Sequence, residues 1–344
     1  MIISKVIDQY KKYRLVPATK NLIYHWLTRE KRCSFGNKNS DKIFYIIRSI
    51  DSNSPFYIGP VHNLLANYFY VLSHIQYAKI NGWIPIVDQL NYPVYNSVDY
   101  PINGSMNAWE YFWKQPSPYT LEEVYNSKNV ILSKQNWFSE YDMGYDVKKY
   151  GDAECISLFY KLARLVPFKE CIQSSIEEKV RAVILGKKNI LGVSFRFGGH
   201  SLDSQKFGKG HPVQPSIDEL LPIVKNRMKV WGMEYIFLCT DVIEAEISFR
   251  KMFGEKLLVL KRNRMSIYMN QLERKDFYKN EKIYSISLDY LTEMEILARC
   301  HGLLGSINSG LRYSIIKNNN SYKFLEILDY GLLPDSRVGD KIGV

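Results

Sequence analysis

The chain has 344 residues, 46% of them hydrophobic, and a net charge of +11. This length and hydrophobic content are typical of two domains that each bury a core. The five cysteines show no CxxC or CxxH spacing, and the N-terminus lacks the long apolar core of a signal peptide or a spanning helix. The sequence therefore argues against a zinc site and a membrane span, and we expect a protein of a reducing compartment, the cytoplasm.

Residues 1–41 form a basic segment in which apolar residues recur at helical spacing between Ile2 and Tyr10. Such a helix either covers a domain or rests on anionic lipid, and the pattern leaves both open. The net charge fits nucleic acid, an anionic membrane surface or a phosphorylated substrate as partner, and equally a basic surface that only aids solubility.

An N-terminal α/β domain is predicted over residues 42–186. Strand candidates at 42–50 and 84–88 flank a helix at 62–81 that Gly82 would end, and this order is a βαβ unit. Residues 120–188 have helical patterns with charged faces and apolar stripes.

An aromatic segment, residues 91–119, lies inside this domain and has no clear period. Segments of this kind often line grooves. Asn107, Trp109 and Glu110 are therefore candidates to bind an acceptor sugar by stacking and hydrogen bonds. The alternative is that Trp109 and its aromatic neighbours fill an irregular core.

The C-terminal domain, residues 187–330, alternates strands and helices ahead of a tail at 331–344. Alternation of this kind requires a mostly parallel sheet. Ser216 with Glu219, and Asp241 with Glu244, have the spacing of helix capping boxes. The predicted strands span 190–197, 235–240, 256–260, 302–306 and 322–328, and the predicted helices 216–230, 242–253, 288–300 and 310–318. A charged stretch at 261–284 is too long for a tight connection and is typical of a lid or a disordered loop.

Two features at predicted strand ends suit an anionic ligand. Arg196 lies at the carboxyl end of the predicted strand 190–197, and a guanidinium there can hold a diphosphate with fork geometry, although it could also pair with a structural carboxylate. The run GSINSG, with Ser306, Asn308 and Ser309, stands between a strand and a helix, where backbone amides and hydroxyls form an anion site.

Three residues in the loop after the predicted strand 190–197 are candidates for a catalytic base: His200, Asp203 and His211. Either histidine could instead be a hydrogen-bonded structural group, and Glu110 is a further candidate. The sequence has no P-loop, complete GxGxxG, HExxH, nucleophile elbow or DxD signature. We therefore expect no bound metal and no cofactor.

Several motifs together resemble the fucosyltransferase superfamily, nearest to its α1,6- and nodulation-type branch and its bacterial surface-polysaccharide relatives. They are FRFGGH, KGHPVQP, IFLCTD and EILARCHGLLGSINSG in the C-terminal half, and IGPVHNLLANYFYVLSHIQYAKINGWIPIVD and NAWEYFW in the N-terminal half. The resemblance spans about residues 42–330. The family pattern places a second arginine or glycine, a threonine and an aspartate after the strand, whereas Phe197 to His200 stand here, and His200 or Asp203 would have to substitute for the aspartate.

The resemblance implies a GT-B-like fold of two Rossmann-type domains that face each other across a cleft. It also implies inverting, metal-independent transfer from a sugar nucleotide. Arg196 matches the arginine at the donor diphosphate, and His211 matches the histidine of an HP pair. Glu293 falls near an acidic position that faces the nucleoside, and Ser306, Asn308 and Ser309 match the turn at the phosphates.

The sequence thus predicts a glycosyltransferase that moves a sugar, with fucose from GDP-fucose as the candidate donor, to a glycan or a lipid-linked oligosaccharide. The expected partners are the nucleotide sugar, this acceptor and an anionic membrane surface, and not nucleic acid. Two alternatives stay open. One is a basic protein that binds single-stranded nucleic acid, because basic and aromatic residues suit such ligands. The other is a catalytically inactive, glycan-binding relative.

Overall fold

The computed structural model describes residues 17–49, 63–90, 101–136, 138, 141–144, 146–196, 212–270, 272–273, 276–277 and 283–332. The chain divides into two compact units, each mixed α/β with a largely parallel sheet. Unit 1 comprises Met1–Asp142 with Leu165–Pro167, and unit 2 comprises Met143–Arg164 with Phe168–Val344. The α/β class expected from the sequence is confirmed, and the cleft between two domains stays a prediction.

Unit 1 is built on a four-stranded sheet with the order β1-β4-β2-β3, in which β1 runs antiparallel to β4 and the other pairs are parallel. Its strands are β1 (Lys31–Cys33), β2 (Phe44–Arg48), β3 (Ile84–Asp88) and β4 (Val130–Leu132), and its helices are α1 (Pro17–Leu27), α2 (Leu64–Ile80) and α3 (Leu121–Val124). The predicted βαβ unit is confirmed as β2, α2 and β3. Asn63 caps α2 by accepting from the backbone N–H of Ala66, and Gly82 follows the helix with a φ of +69°.

Unit 2 carries a five-stranded, wholly parallel sheet with the order β7-β6-β5-β8-β9. Its strands are β5 (Ile190–Phe195), β6 (Tyr235–Thr240), β7 (Leu257–Leu258), β8 (Gly302–Ser306) and β9 (Phe324–Leu328), and its helices are α4 (Ala153–Ala163), α5 (Glu170–Ile184), α6 (Ile217–Val230), α7 (Ile243–Phe253), α8 (Ile283–Leu297) and α9 (Ser309–Asn318). The strand order reverses between β5 and β8. In doubly wound sheets, ligands bind at the carboxyl ends of the strands on either side of such a switch point.

The domain boundary lies earlier than the sequence placed it. Helices α4 and α5 belong to unit 2, whereas the predicted boundary at 186 assigned them to the N-terminal domain. Two ion pairs tie α5 to the α8 region: Lys179 contacts Asp289 at 2.6 Å, and Arg299 contacts Glu177 at 2.5 Å. The hydrogen bond from Arg299 lowers the pKa of Glu177 below its ordinary value. Side-chain partners far along the chain therefore decide where these helices pack.

Most strands and helices of the C-terminal domain agree with the prediction to within a few residues, and the Ser216–Glu219 capping box is present. The prediction of a capping box formed by Asp241 and Glu244 was wrong. Helix α7 begins after Val242 without a side-chain cap, and the Glu244 carboxylate instead accepts hydrogen bonds from Ser266 and from the backbone of Ile267. The sequence also missed β1 and β4, because three residues are too few to show a strand period.

Candidate functional site

The carboxyl ends of β5 and β8 lie side by side, because Ser194 pairs with Gly305 in the parallel register. A side chain at Gly305 could not fit: its Cβ would stand 2.7 Å from the carbonyl oxygen of Ser194. This close approach brings Arg196, two residues beyond Ser194, near the turn that follows β8. Both features predicted to bind an anion therefore flank the switch point of the sheet.

Tyr290 of α8 connects these two features. Its hydroxyl accepts a hydrogen bond of 3.2 Å from Nη1 of Arg196, whose guanidinium also lies 5.7 Å from the centre of the tyrosine ring. The same hydroxyl would lie 2.7 Å from a Cβ built on Gly310, in the first turn of α9. The Arg196 guanidinium and the first turn of α9 thus both lie next to the hydroxyl of Tyr290.

The turn between β8 and α9 is ordered by Asn308, which is buried. Its Oδ1 accepts from the backbone N–H of Leu311 at 2.9 Å and caps α9, and its Nδ2 donates to the carbonyl of Ser306 at 3.0 Å. Asn308 therefore shapes the anion site through the backbone. The hydroxyl of Ser306 is buried and has no hydrogen-bond partner among the described residues. A buried hydroxyl without a partner is costly, and an oxyanion would satisfy it.

Glu293 does not present an open carboxylate. It is fully buried, accepts two hydrogen bonds of 2.9 Å from Arg262 and one of 3.2 Å from Arg264, and also contacts the thiol of Cys239. Burial disfavours the charged form of Arg262, but Glu293 more than offsets this, so the pKa of Arg262 is raised above its ordinary value. In this conformation Glu293 positions Arg262 and is itself closed to a nucleoside.

Arg262 is an arginine near the switch point, with a largely buried side chain, that sequence reasoning did not single out. Its Nη2 also donates to the carbonyl of Thr240 at 2.8 Å, which places the guanidinium at the carboxyl end of β6, one strand away from β5. In the sequence it was only one of many charges in the stretch 261–284. The signal that could have found it is its position, four residues after the end of β7.

The candidates for the catalytic base, His200, Asp203 and His211, lie outside the described residues. The described part of the chain holds no group of three or more His, Cys, Asp or Glu side chains that could bind a metal ion.

In unit 1, the predicted acceptor residues have structural roles. Trp109 is fully buried and stacks on Trp113 at 4.6 Å and on Tyr68 at 6.1 Å, so the alternative of an aromatic core describes it. In this conformation it offers no surface to a sugar. Glu110 is half-buried, and its carboxylate accepts from Ser105 at 2.6 Å and from Gln115 at 2.7 Å.

Asn107 and Gln115 close the outer edge of β3, which is the edge strand of its sheet. Gln115 accepts from the backbone N–H of Val87 at 2.8 Å and donates to the carbonyl of Val87 at 2.9 Å. Asn107 donates to the same carbonyl at 2.7 Å and accepts from the backbone N–H of Gln89 at 3.1 Å. These amides replace the missing neighbouring strand, so Asn107 is not available to an acceptor.

Together the fold and the geometry define a doubly wound parallel domain in unit 2 with a candidate anion site at its switch point. Among the described residues, no helix is long and apolar enough to cross a bilayer.

Three solved structures are similar to the chain, and one of them is the fucosyltransferase NodZ from Bradyrhizobium. NodZ from Bradyrhizobium is 14% identical, with 85% of this chain and 98% of that chain covered at a TM-score of 0.48. POFUT1 in complex with GDP is 10% identical, with 84% and 99% covered at 0.43. A variant of Arabidopsis thaliana FUT1 in complex with GDP is 10% identical, with 94% and 78% covered at 0.45. No protein-family profile and no curated protein matches the chain.

Proposed function

We propose that the protein is an inverting, metal-independent glycosyltransferase that uses a nucleoside-diphosphate sugar, with GDP-fucose as the first candidate donor. The observation that carries the proposal is the meeting of Arg196 and the N-terminus of α9 at Tyr290, beside the switch point of a parallel sheet. The sequence motifs add the choice of a fucosyltransferase-type donor.

The diphosphate is the leaving group of such a reaction, so negative charge grows on it as the bond to the sugar breaks. Arg196 can hold it with two N–H groups, and the backbone N–H groups of the first turn of α9 point to the same place with the positive end of the helix dipole. The unpartnered hydroxyl of Ser306 is a further donor. Groups that stabilise developing charge in a fixed geometry contribute the largest share of catalysis in chemistry of this kind.

The acceptor is a hydroxyl of a glycan or a lipid-linked oligosaccharide in surface polysaccharide synthesis, and the enzyme works at the cytoplasmic face of a membrane. A base from the loop with His200, Asp203 and His211 removes the proton of that hydroxyl, while no metal takes part. The abundance of basic residues favours both an anionic donor and an anionic membrane surface as partners.

The test is release of free nucleotide from a panel of GDP-, UDP-, CMP- and dTDP-sugars in the presence of acceptor candidates. GDP-fucose should give the highest rate. Arg196→Ala should lower that rate about a hundredfold, because one fixed donor to the developing charge is lost. Arg196→Lys keeps the charge but not the fork, so it should recover only part of the rate.

Arg181→Ala is the matched control, because Arg181 lies exposed on α5, away from the switch point, and its loss should leave the rate unchanged. A full rate in Arg196→Ala would contradict the proposal. Donor binding without turnover on any acceptor would make the protein an inactive, glycan-binding relative. Salt-sensitive binding to oligonucleotides without binding to any sugar nucleotide would favour the nucleic-acid alternative.

A further inference from the structure

Within the described part of unit 1, helix α1 packs through one face, and large apolar side chains on another face are exposed. Tyr24 and Thr28, one helical turn apart, are buried, and the Tyr24 hydroxyl donates to the carbonyl of Gln135 at 3.1 Å. Leu22 and Trp26, also one turn apart, are 70% and 63% exposed. Two large apolar side chains on one exposed helix face are a feature that a soluble surface does not need.

One cation lies against this face, and others follow it in the chain. The Arg29 guanidinium lies 4.7 Å from the centre of the Trp26 ring, and Lys31 and Arg32 of the adjoining strand β1 are exposed. Over residues 1–34 the sequence has eight lysine and arginine residues and two acidic residues. Apolar residues framed by cations are the composition of surfaces that bind anionic membranes.

A pocket of about 390 Å³ adjoins the exposed face and shares Arg29 with it. Lys134 lies on its wall, with its Nζ 3.4 Å from the centre of the Phe138 ring, and Phe138 stacks on Tyr77 at 4.3 Å. The pocket is lined by His25, Thr28, Arg29, Glu30, Tyr77, Lys134, Asn136 and Phe138. Two permanent cations outnumber the one carboxylate of the lining, Glu30, and together with the aromatic floor they suit a phosphate group that is attached to an apolar body.

We propose that α1 is the site by which the protein docks on an anionic phospholipid bilayer. Leu22 and Trp26 enter the boundary between headgroups and acyl chains, the depth that tryptophan prefers, and Arg29 and Lys134 contact lipid phosphates. The positive charge of residues 1–34 favours an anionic bilayer over an uncharged protein surface as the partner. The exposed apolar side chain of Leu22 favours a bilayer over nucleic acid, which has no apolar interior to bury it. This inference deepens the membrane location proposed above, and it names the surface responsible.

Co-sedimentation of the full chain with lipid vesicles tests the inference. The protein should bind vesicles that contain phosphatidylglycerol and bind pure phosphatidylcholine weakly. The double variant Leu22→Ser with Trp26→Ser should lose about tenfold in affinity, since both apolar anchors are gone. Arg29→Gln and Lys134→Gln should each lose about fivefold, and the loss should shrink at high salt.

Leu185→Ser is the matched control, because Leu185 is 78% exposed in unit 2 and its removal should not change vesicle binding. Nucleotide release from a water-soluble donor and acceptor should be the same in the double variant as in the parent, so that failure of docking and failure of catalysis are distinguished. Unchanged vesicle binding by the double variant would overturn the inference. Equal binding to neutral and anionic vesicles would also overturn it. So would a parent protein that forms dimers in solution while the double variant is monomeric, because the exposed face would then be an interface between copies.

Discussion

His74 is a buried titratable residue whose surroundings fix its protonation state. It has no exposed surface, its Nδ1 is 2.9 Å from the hydroxyl of Tyr45, and its Nε2 is 3.0 Å from the carbonyl of Asn136. The carbonyl can only accept, so the neutral ring donates from Nε2 and accepts the Tyr45 hydroxyl at Nδ1. Burial lowers the pKa of His74 to about 3. A proton on Nδ1 would reverse the bond with Tyr45, so that the ring donates to the phenol oxygen, and would leave a charge in a buried site.

The stability of unit 1 should therefore depend on this histidine below neutral pH. Between the unfolded-state pKa of about 6.5 and the folded value, the unfolded chain takes up a proton that the folded chain refuses, so stability falls as pH falls, by about 1.4 kcal/mol per pH unit. From pH 7 to pH 5 the contribution is about 2 kcal/mol. Urea unfolding at both values should show a larger loss in the parent than in His74→Gln. His25→Gln, at an exposed position, should keep the parent's difference, and equal losses in all three proteins would contradict the assignment.

At this scale the sequence predicted the place in the fold of some residues and not of others. Arg196 and Ser306 could be placed because the position after a buried strand fixes which edge of the sheet a side chain reaches. Trp109 and Glu293 could not, because burial depends on neighbours that are distant in the chain. Arg262 was missed for the same reason: its partners, Glu293 and the carbonyl of Thr240, become neighbours only in the folded sheet.

At the scale of elements, the junction of α8 with α9 shapes the candidate anion site. A Cβ at Gly310 would lie 2.6 Å from the sulfur of Met294 and 2.7 Å from the hydroxyl of Tyr290. Alanine favours helices over glycine by up to about 1 kcal/mol, but overpacking of this kind costs about 1–3 kcal/mol. Because Tyr290 also holds Arg196, displacement of its ring would move the guanidinium.

Gly310→Ala should therefore lower the melting temperature and weaken GDP binding about tenfold, at a cost of roughly 1.4 kcal/mol. Calorimetry of GDP binding and of unfolding measures both. Adding Tyr290→Phe removes one of the two clashing atoms and should restore part of the stability. Gly151→Ala is the control, because its nearest neighbour would be 3.9 Å away, and no effect is expected there. Unchanged GDP affinity in Gly310→Ala would show that the turn is not part of the donor site.

The elements themselves were largely predictable where the hydrophobic period was long. The hydrophobic patterns over β5, α6, β6 and α7 predicted these four elements, and their order predicted the parallel pairing of β5 with β6. Strands β1 and β4 are three residues each and are held by pairing with strands distant in the chain, β1 with β4 and β4 also with β2, so no local pattern marks them. The start of α7 was predicted to within one residue, but its cap was not, because the loop after β7 reaches back and the carbonyl of Met265 accepts from the N–H of Ile243.

At the scale of the whole molecule, every described group assigned to the donor lies in unit 2. GDP should therefore protect this unit against hydrogen exchange and leave unit 1 unchanged. At a hundred times its dissociation constant, a ligand stabilises by about 2.7 kcal/mol, which slows exchange through ligand-linked opening about a hundredfold. Mass spectrometry should locate the protection at residues 190–196, 235–242 and 290–312, with CMP as a weaker comparison. Protection confined to residues 84–115 would place the nucleotide in unit 1 and contradict the assignment of the donor site to unit 2.

The side chains along β3 have a consequence for how copies of the protein meet. An uncovered edge strand invites another chain to extend the sheet, which is a common start of aggregation. Here Pro85 has no N–H to offer, and both backbone groups of Val87 are occupied by Gln115. A second copy of the protein therefore cannot extend the sheet by pairing with Val87 of β3, even at high protein concentration. The side-chain amides of Gln115 and Asn107 occupy the place of a further strand at this edge.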